Sequence, residues 1–209
     1  MSRLKVAVLI SGRGSNMESL AAACAEEGFP AQICVVVSNN PEAAGLEKAT
    51  SFGIPTAVVD NNRFDGKAPF EGALIEVLER HGAELICLAG FMRVLSEDFV
   101  GRFPHKILNI HPSLLPAFPG LHVQQKAIDH GVRFSGCTVH FVVPEVDAGP
   151  IIVQAVVPIE QDDSEDTLAA RILEQEHIMY PEAVKLFAEG RLRIEEQRVR
   201  IGDTCFTRP

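Results

Sequence analysis

The stretch Ile107-Leu-Asn-Ile-His-Pro-Ser-Leu-Leu-Pro-Ala-Phe-Pro-Gly-Leu-His122 leaves an apolar strand and enters a loop that contains three prolines and one glycine. Proline fixes φ and removes a backbone donor, so we expect this loop to be stiff. Asn109 and His111 stand where the strand becomes the loop, two residues apart, and can therefore face one side of a sheet. Because ligands of open α/β sheets bind beyond the carboxyl ends of the strands, this stretch predicts an active site. The alternative is a proline-rich turn whose asparagine and histidine only satisfy backbone groups.

A partner for the histidine is expected in the loop Val142-Val-Pro-Glu-Val-Asp-Ala-Gly-Pro150, which lies between two β-rich runs. Its Asp147 is the candidate, since a carboxylate beside an imidazole stabilises the protonated ring as a proton donor. The amide of Asn109 can donate a hydrogen bond to an oxygen that gains negative charge. Asn109, His111 and Asp147 together predict transfer of a group from a carbonyl-type donor. Ser113 is a weaker candidate nucleophile because it lacks the Gly-x-Ser-x-Gly context.

Length and composition favour one globular domain over residues 1–209, with an N-terminal phosphate-binding half to about residue 100 and a catalytic half beyond it. The chain has 209 residues, of which 46% are hydrophobic. Its formal net charge of -9 argues against nucleic acid as the principal ligand, because that binding depends on clustered Lys and Arg. No signal peptide and no apolar run of about 20 residues is recognisable, so the sequence predicts a soluble cytoplasmic protein.

The cysteines and histidines show no metal-binding spacing. The five cysteines include no Cys-x-x-Cys pair and are predicted to be buried thiols in a reducing compartment; they are Cys24, Cys34, Cys87, Cys137 and Cys205. The seven histidines are scattered, without His-x-His or His-x-x-x-His. We therefore expect no metal site.

A second candidate site lies near the N-terminus, where an apolar strand at Val6–Ile10 runs into Ser11-Gly-Arg-Gly-Ser-Asn16 and a helix from Met17 to about Glu27. The two glycines permit a tight turn, and Ser15 and Asn16 are predicted N-cap residues that face an anion at the helix terminus. The loop matches neither the dinucleotide fingerprint nor the P-loop. It predicts a phosphate site, the alternative being a tight turn with a helix cap.

The remaining segments alternate between strand-like and helix-like patterns. This alternation predicts an α/β fold with a mostly parallel, Rossmann-like central sheet, helices on both faces and antiparallel strands toward the C-terminal half. The predicted strands are 33–37, 56–59, 84–89, 136–143 and 151–157, and the predicted helices are 41–52, 70–81, 122–130 and one from 166 or 167 to 189 that is broken or bent near Pro181. Gly90–Leu95 is another strand-end loop, in which Arg93 can hold an anionic or planar group. Residues 192–208 predict a hairpin with its turn at Gly202-Asp203.

Several motifs resemble those of the phosphoribosylglycinamide formyltransferases, a folate-dependent formyltransferase family. They extend over nearly the whole chain: residues 10–16, 88–93, 109–116, 119–122, 147–150, 163–166 and 175–177. The resemblance implies transfer of a formyl group from 10-formyltetrahydrofolate to the amine of 5-phosphoribosylglycinamide in de novo purine biosynthesis, without a metal, a nucleic acid or a membrane. Whether the chain forms a homodimer is left open.

The resemblance also implies residue roles. The family's catalytic trio falls on Asn109, His111 and Asp147. The substrate-binding residues would be Gly14, Ser15 and Asn16 for the phosphate and Glu176 for the sugar or amide side. The folate-binding residues would be Lys67, Met92, Arg93, Val94, Leu95, Asn109, Val143 and Asp147. The chain departs from the family pattern at Arg13, Lys67 and Ala148, where Asn, Arg and Gly are common. Of these departures, only Lys67 affects an expected contact. The Lys ammonium offers the folate tail a single point charge, whereas the planar Arg guanidinium can donate two parallel hydrogen bonds.

Three other activities compete with this interpretation. A 10-formyltetrahydrofolate hydrolase shares the catalytic domain, but it typically carries an additional N-terminal domain and needs no phosphate loop. A methionyl-tRNA formyltransferase would carry a C-terminal tRNA-binding domain. A non-catalytic nucleotide-binding module would use residues 12–16 and would not need His111.

Overall fold

The computed structural model describes residues 2–202, which fall into two compact units divided after Leu108. Cys205 and the part of the predicted hairpin from Asp203 onward lie outside the described residues. That the whole chain forms one domain stays a prediction.

The first unit is built on four parallel strands in the order β3-β2-β1-β4. Its elements are β1 (Leu4–Ile10), α1 (Ser15–Ala25), β2 (Ala31–Ser38), α2 (Ala44–Ser51), β3 (Thr56–Val58), a 3-10 turn (Asn61–Arg63), α3 (Lys67–Arg80), β4 (Leu85–Leu88) and α4 (Glu97–Arg102). From Val6 to Ile10 every residue of β1 is buried, as expected of a central strand covered on both faces. The predicted parallel α/β arrangement is confirmed here.

Three helix starts in this unit differ from the prediction. The N-cap of α1 is Gly14 at φ 72°, so the prediction that Ser15 and Asn16 are the caps was wrong. They are the first two helical residues instead. Helix α2 begins at Ala44 rather than at residue 41, because residues 40–43 form a turn in which the Ala43 amide donates to the Asn40 carbonyl. Helix α3 begins at Lys67 rather than at residue 70, since proline is tolerated in a first helical turn. Helix α4 was not predicted.

The second unit contains mainly antiparallel strands. Strand β5 (Ile107–His111) crosses the boundary, and α5 (Val123–Asp129), β6 (Phe134–Phe141), β7 (Ile151–Pro158), α6 (Glu165–Ala188), β8 (Leu192–Glu195) and β9 (Arg198–Ile201) follow. The strand order is β5-β6-β7-β9-β8, with β6–β7 and β8–β9 antiparallel and β7–β9 parallel. Glu195 pairs with Arg198, so this hairpin turns at Glu196 and Gln197. The predicted turn at Gly202-Asp203 extends outside the described residues.

Helix α6 continues without a break through Pro181, near which a break or bend was predicted. Its N-cap is Ser164, which forms a capping box with Thr167. Arg171 donates two hydrogen bonds to the Asp163 carboxylate, of 2.6 and 2.9 Å, and these bonds hold the pKa of that carboxyl far below its usual range. The capping box and the Arg171–Asp163 pair therefore both stabilise the start of α6.

The four described cysteines are thiols, as predicted. Cys24, Cys87 and Cys137 are buried, whereas Cys34 is half-buried and donates to the Val6 carbonyl. Burial raises the pKa of Cys24 to about 11 and that of Cys137 to about 12, so both are unreactive. Within residues 2–202, the helices are too short or too polar to cross a membrane.

Candidate active site

In the second unit, the end of β5 presents His111 in a nearly fully buried position, at 5% exposure. Its Nε2 donates to the Phe118 carbonyl at 3.0 Å, and the Ser113 hydroxyl donates to the same carbonyl at 3.0 Å. Since a carbonyl can only accept, Nε2 carries a hydrogen. The other ring nitrogen, Nδ1, is therefore the one left for chemistry.

Nδ1 of His111 faces Asp147, which lies on the β6–β7 connection as predicted. Asp147 adopts a left-handed backbone conformation with φ 54°, which aspartate tolerates better than most residues. Its Oδ2 accepts from the Gly120 amide at 2.8 Å and lies 3.5 Å from Nδ1 of His111. Both side chains are at least nine-tenths buried, so the attraction of the carboxylate for a protonated ring is weakly screened. The distance exceeds that of an ordinary hydrogen bond, and because Nε2 holds the hydrogen of the neutral ring, Nδ1 can donate only when the imidazole is protonated.

His140, a residue that sequence reasoning missed, fixes the orientation of Asn109. Its Nδ1 donates to the Phe141 carbonyl at 2.9 Å, so Nε2 carries a lone pair and accepts from Nδ2 of Asn109 at 3.2 Å. Burial lowers the pKa of His140, and this effect outweighs the nearby Asp147, so the ring stays neutral. The second Nδ2 hydrogen of Asn109 remains available to a ligand oxygen.

Thr138 on β6 holds the proline-rich loop in place. Its buried hydroxyl donates to the Ser113 carbonyl at 2.7 Å and accepts from the Leu115 amide at 3.1 Å and from Gln154 Nε2 at 2.9 Å. The Ser113 hydroxyl shares its one hydrogen between the Ala117 carbonyl at 2.6 Å and the Phe118 carbonyl at 3.0 Å. Ser113 therefore stays the weaker candidate nucleophile.

The cluster thus combines the Asn109 amide donor, a histidine that becomes a second donor when its ring is protonated, and one carboxylate. Asn109 Nδ2 and His111 Nδ1 can donate to an oxygen that becomes negative, and Asp147 can stabilise the protonated ring. Such an arrangement suits acyl transfer through a tetrahedral intermediate. Among residues 2–202, no three His, Cys, Asp or Glu side chains are arranged to hold a metal ion.

Two further ligand-binding candidates lie in this unit. Glu176 on α6 is only 6% exposed, so it does not belong to the solvated face on which most charges of a long helix lie. Its charge helps to raise the pKa of Cys137. Glu176 stays a candidate for ligand binding. Val143 is half-buried just beyond β6.

In the first unit, the candidate phosphate loop is shaped by close backbone packing. A side chain at Gly14 would bring a Cβ within 2.8 Å of the Gly45 Cα, and the Gly45 amide donates to the Gly12 carbonyl at 3.0 Å. Ser15 and Asn16 form the first turn of α1, whose amides and helix dipole favour an anion.

The expected folate-binding residues of this unit lie on the loop after β4 and at the start of α3. Met92 and Val94 are 69% and 62% exposed, while Leu95 is buried. Arg93 and Lys67 are exposed.

Comparison with known proteins places these residues in a family context. The formyl transferase family model matches residues 4–184. Phosphoribosylglycinamide formyltransferase of Escherichia coli is 42% identical over 92% of this chain and 91% of that protein. The crystal structure of glycinamide ribonucleotide transformylase 1 from Symbiobacterium toebii superposes with a TM-score of 0.94 at 48% identity, covering 96% of this chain and 95% of that one.

Two other matches differ in length from this chain. The trifunctional purine biosynthetic protein adenosine-3 of Bos taurus is 46% identical over 93% of this chain, which spans about a fifth (19%) of that relative. A formyltetrahydrofolate deformylase from Pseudomonas syringae has a TM-score of 0.88 at 25% identity, covering 97% of this chain and 67% of that one.

Proposed function

The chain belongs to the formyl transferase family, and we propose that it transfers a formyl group from 10-formyltetrahydrofolate to the amine of 5-phosphoribosylglycinamide in de novo purine biosynthesis. The observation that carries this proposal is the juxtaposition of Asn109, His111 and Asp147, with Nδ1 of His111 3.5 Å from the Asp147 carboxylate. The reduced thiols favour a cytoplasmic location.

In the proposed mechanism, the neutral amine attacks the formyl carbon and a new C–N bond forms. The carbonyl oxygen becomes an oxyanion, to which Asn109 Nδ2 and protonated His111 Nδ1 donate. Asp147 stabilises the imidazolium through Coulomb attraction in a buried setting. The intermediate collapses by breaking the bond from the formyl carbon to N10 of the folate. The proton lost by the amine reaches N10 through a relay, for which a water beside Asp147 is our candidate.

The ligand-binding roles are part of the same proposal. Gly14, Ser15 and Asn16 bind the substrate phosphate at the N-terminus of α1, where amides and the helix dipole favour an anion. Glu176 binds the sugar or amide side of the ribonucleotide. The residues proposed to bind the folate are Lys67, Met92, Arg93, Val94, Leu95, Asn109, Val143 and Asp147.

The competing function is hydrolysis of the formyl donor, favoured by the likeness to the deformylase. The two differ only in the acceptor, which is water in one case and the amine in the other. The purified protein is therefore incubated with 10-formyltetrahydrofolate, with and without 5-phosphoribosylglycinamide, and tetrahydrofolate, formate and formylated product are measured. Turnover that requires the ribonucleotide supports transfer. Equal formate release without it would replace the proposal by hydrolysis, and the absence of turnover in both would favour a binding module.

A further inference from the structure

The loop from Gly90 to Ser96, which joins β4 to α4, is attached at both ends to side chains from distant parts of the first unit. At its start the attachment is Ser11, and at its end it is Glu71. Neither residue belongs to the ligand-binding set proposed above. Each contact is a hydrogen bond from a backbone amide of the loop, so each restrains the conformation of the loop.

At the first attachment, Ser11 uses its amide and its hydroxyl. The Ser11 amide donates to the Gly90 carbonyl at 3.1 Å, and the Met92 amide donates to the Ser11 hydroxyl at 2.8 Å. That hydroxyl donates in turn to Asn39 Oδ1 at 2.6 Å, and Asn39 Nδ2 donates to Asn61 at 2.8 Å. The bond to Asn39 directs the hydroxyl hydrogen away from the loop, so the oxygen presents a lone pair to Met92.

At the second attachment, the Glu71 carboxylate is buried at 5% exposure on α3. It accepts from the Ser96 amide at 2.8 Å and from the Ser96 hydroxyl. The Ser96 hydroxyl also caps α4 by accepting from the Phe99 amide at 3.1 Å. Burying a carboxylate is costly unless hydrogen bonds compensate, so these contacts account for its position.

The two attachments differ in one respect that matters for function. Ser11 is the first residue of the phosphate loop, which is tied to α2 through the bond from the Gly45 amide to the Gly12 carbonyl. Glu71 lies on α3, outside that loop. A change at Ser11 therefore disturbs both loops, whereas a change at Glu71 disturbs the Gly90–Ser96 loop alone.

We propose that Ser11 and Glu71 are positioning residues for the formyl donor, acting through the Gly90–Ser96 loop, and that Ser11 also positions the phosphate loop. This inference rests on the proposed function, in which Met92–Leu95 bind the folate. Neither side chain needs to touch a ligand for this role. Both act by fixing the backbone from which the binding side chains project.

The test is calorimetric titration of each ligand alone into the wild-type protein and three variants. Ser11→Ala removes the hydroxyl, Ser11→Thr retains it, and Glu71→Gln removes the carboxylate charge at constant shape. Loss of one ordinary hydrogen bond corresponds to about a three- to tenfold change in Kd. Ser11→Ala should weaken both 10-formyltetrahydrofolate and 5-phosphoribosylglycinamide, Ser11→Thr should restore both, and Glu71→Gln should weaken only the folate. Ser51→Ala removes an exposed serine hydroxyl at the end of α2 and should change neither Kd.

Several outcomes would overturn the inference. It fails if Ser11→Ala and Glu71→Gln bind the folate as the wild type does, or if Glu71→Gln weakens both ligands equally. Thermal unfolding checks that each variant is folded. Where Glu71→Gln is not folded, Ser96→Ala replaces it and should show the same selectivity for the folate. A wild-type protein that binds no formyl-folate would instead refute the proposed function, so the two failures are distinguishable.

Discussion

Replacing Thr138 with valine should destabilise the second unit by an amount that the structure lets us estimate. Thr138 is fully buried, and valine has nearly its shape, so no large cavity arises. The change removes an acceptor from the Leu115 amide and a donor from the Ser113 carbonyl, both in buried residues. Gln154 keeps its bond to the Leu115 carbonyl and is partly solvated, so it adds little. At about 1–3 kcal/mol for each buried group left unpaired, the two groups together cost roughly 2–6 kcal/mol, which the apolar side chain offsets only in part.

The assay is urea unfolding, with stability obtained by linear extrapolation. Thr138→Ser is the matched control, since it keeps the hydroxyl and loses one methyl group, at a cost of about 1 kcal/mol. Formyl transfer should also fall in Thr138→Val, because the loop that supplies the Phe118 carbonyl to His111 is loosened. Equal stability of the valine and serine variants would show that the hydroxyl does not hold the loop, and would refute the reasoning.

Three further predictions concern the ligands and pH. Asn16→Asp should weaken 5-phosphoribosylglycinamide through like-charge repulsion while leaving folate affinity unchanged in calorimetric titration, and equal loss of both would indicate a folding defect. Arg93→Ala should raise the KM for 10-formyltetrahydrofolate more than that for the ribonucleotide in steady-state assays, and an unchanged folate KM would remove this loop from the site. Burial lowers the folded-state pKa of His140 below its ordinary value of 6.5. The unfolded chain therefore binds this proton more readily, and stability present above about pH 6.5 is lost as pH falls toward the folded pKa. His140→Gln should reduce that loss in urea unfolding between about pH 7.5 and about pH 5.5, and identical slopes would contradict it.

The parallel strands of the first unit could be predicted because their signal is local. Val6–Ile10 is a continuous apolar run, and such runs mark strands covered on both faces. The start of α1 could not be predicted, because the left-handed conformation of Gly14 accompanies a close contact with Gly45, which is 31 residues away in sequence. The β8–β9 turn at Glu196 and Gln197 contains neither glycine nor asparagine. The preference of turns for such residues therefore favoured a different position in the sequence.

The candidate site shows the same division between local and distant signals. Asp147 could be predicted as a partner of His111 because His111 ends β5 and Asp147 lies on the connection that follows β6, and reactive groups of α/β sheets gather beyond the carboxyl ends of strands. His140 could not, because a histidine on a buried strand has no sequence feature that separates a core residue from one that orients Asn109. Glu71 likewise looks like any charge on an amphipathic helix until its bond to Ser96 is seen.

The central claim is that His111 and Asp147 act as one unit in formyl transfer. The most direct test is a double-mutant cycle on kcat, with both substrates saturating, for His111→Ala, Asp147→Asn and the double variant. Removing one donor to a developing oxyanion typically costs on the order of 10²–10³ in rate, and residues that act as a unit are strongly non-additive. We expect each single change to be severe and Asp147→Asn to cost less than about tenfold in the His111→Ala background. Losses that multiply fully in the double variant would contradict the account.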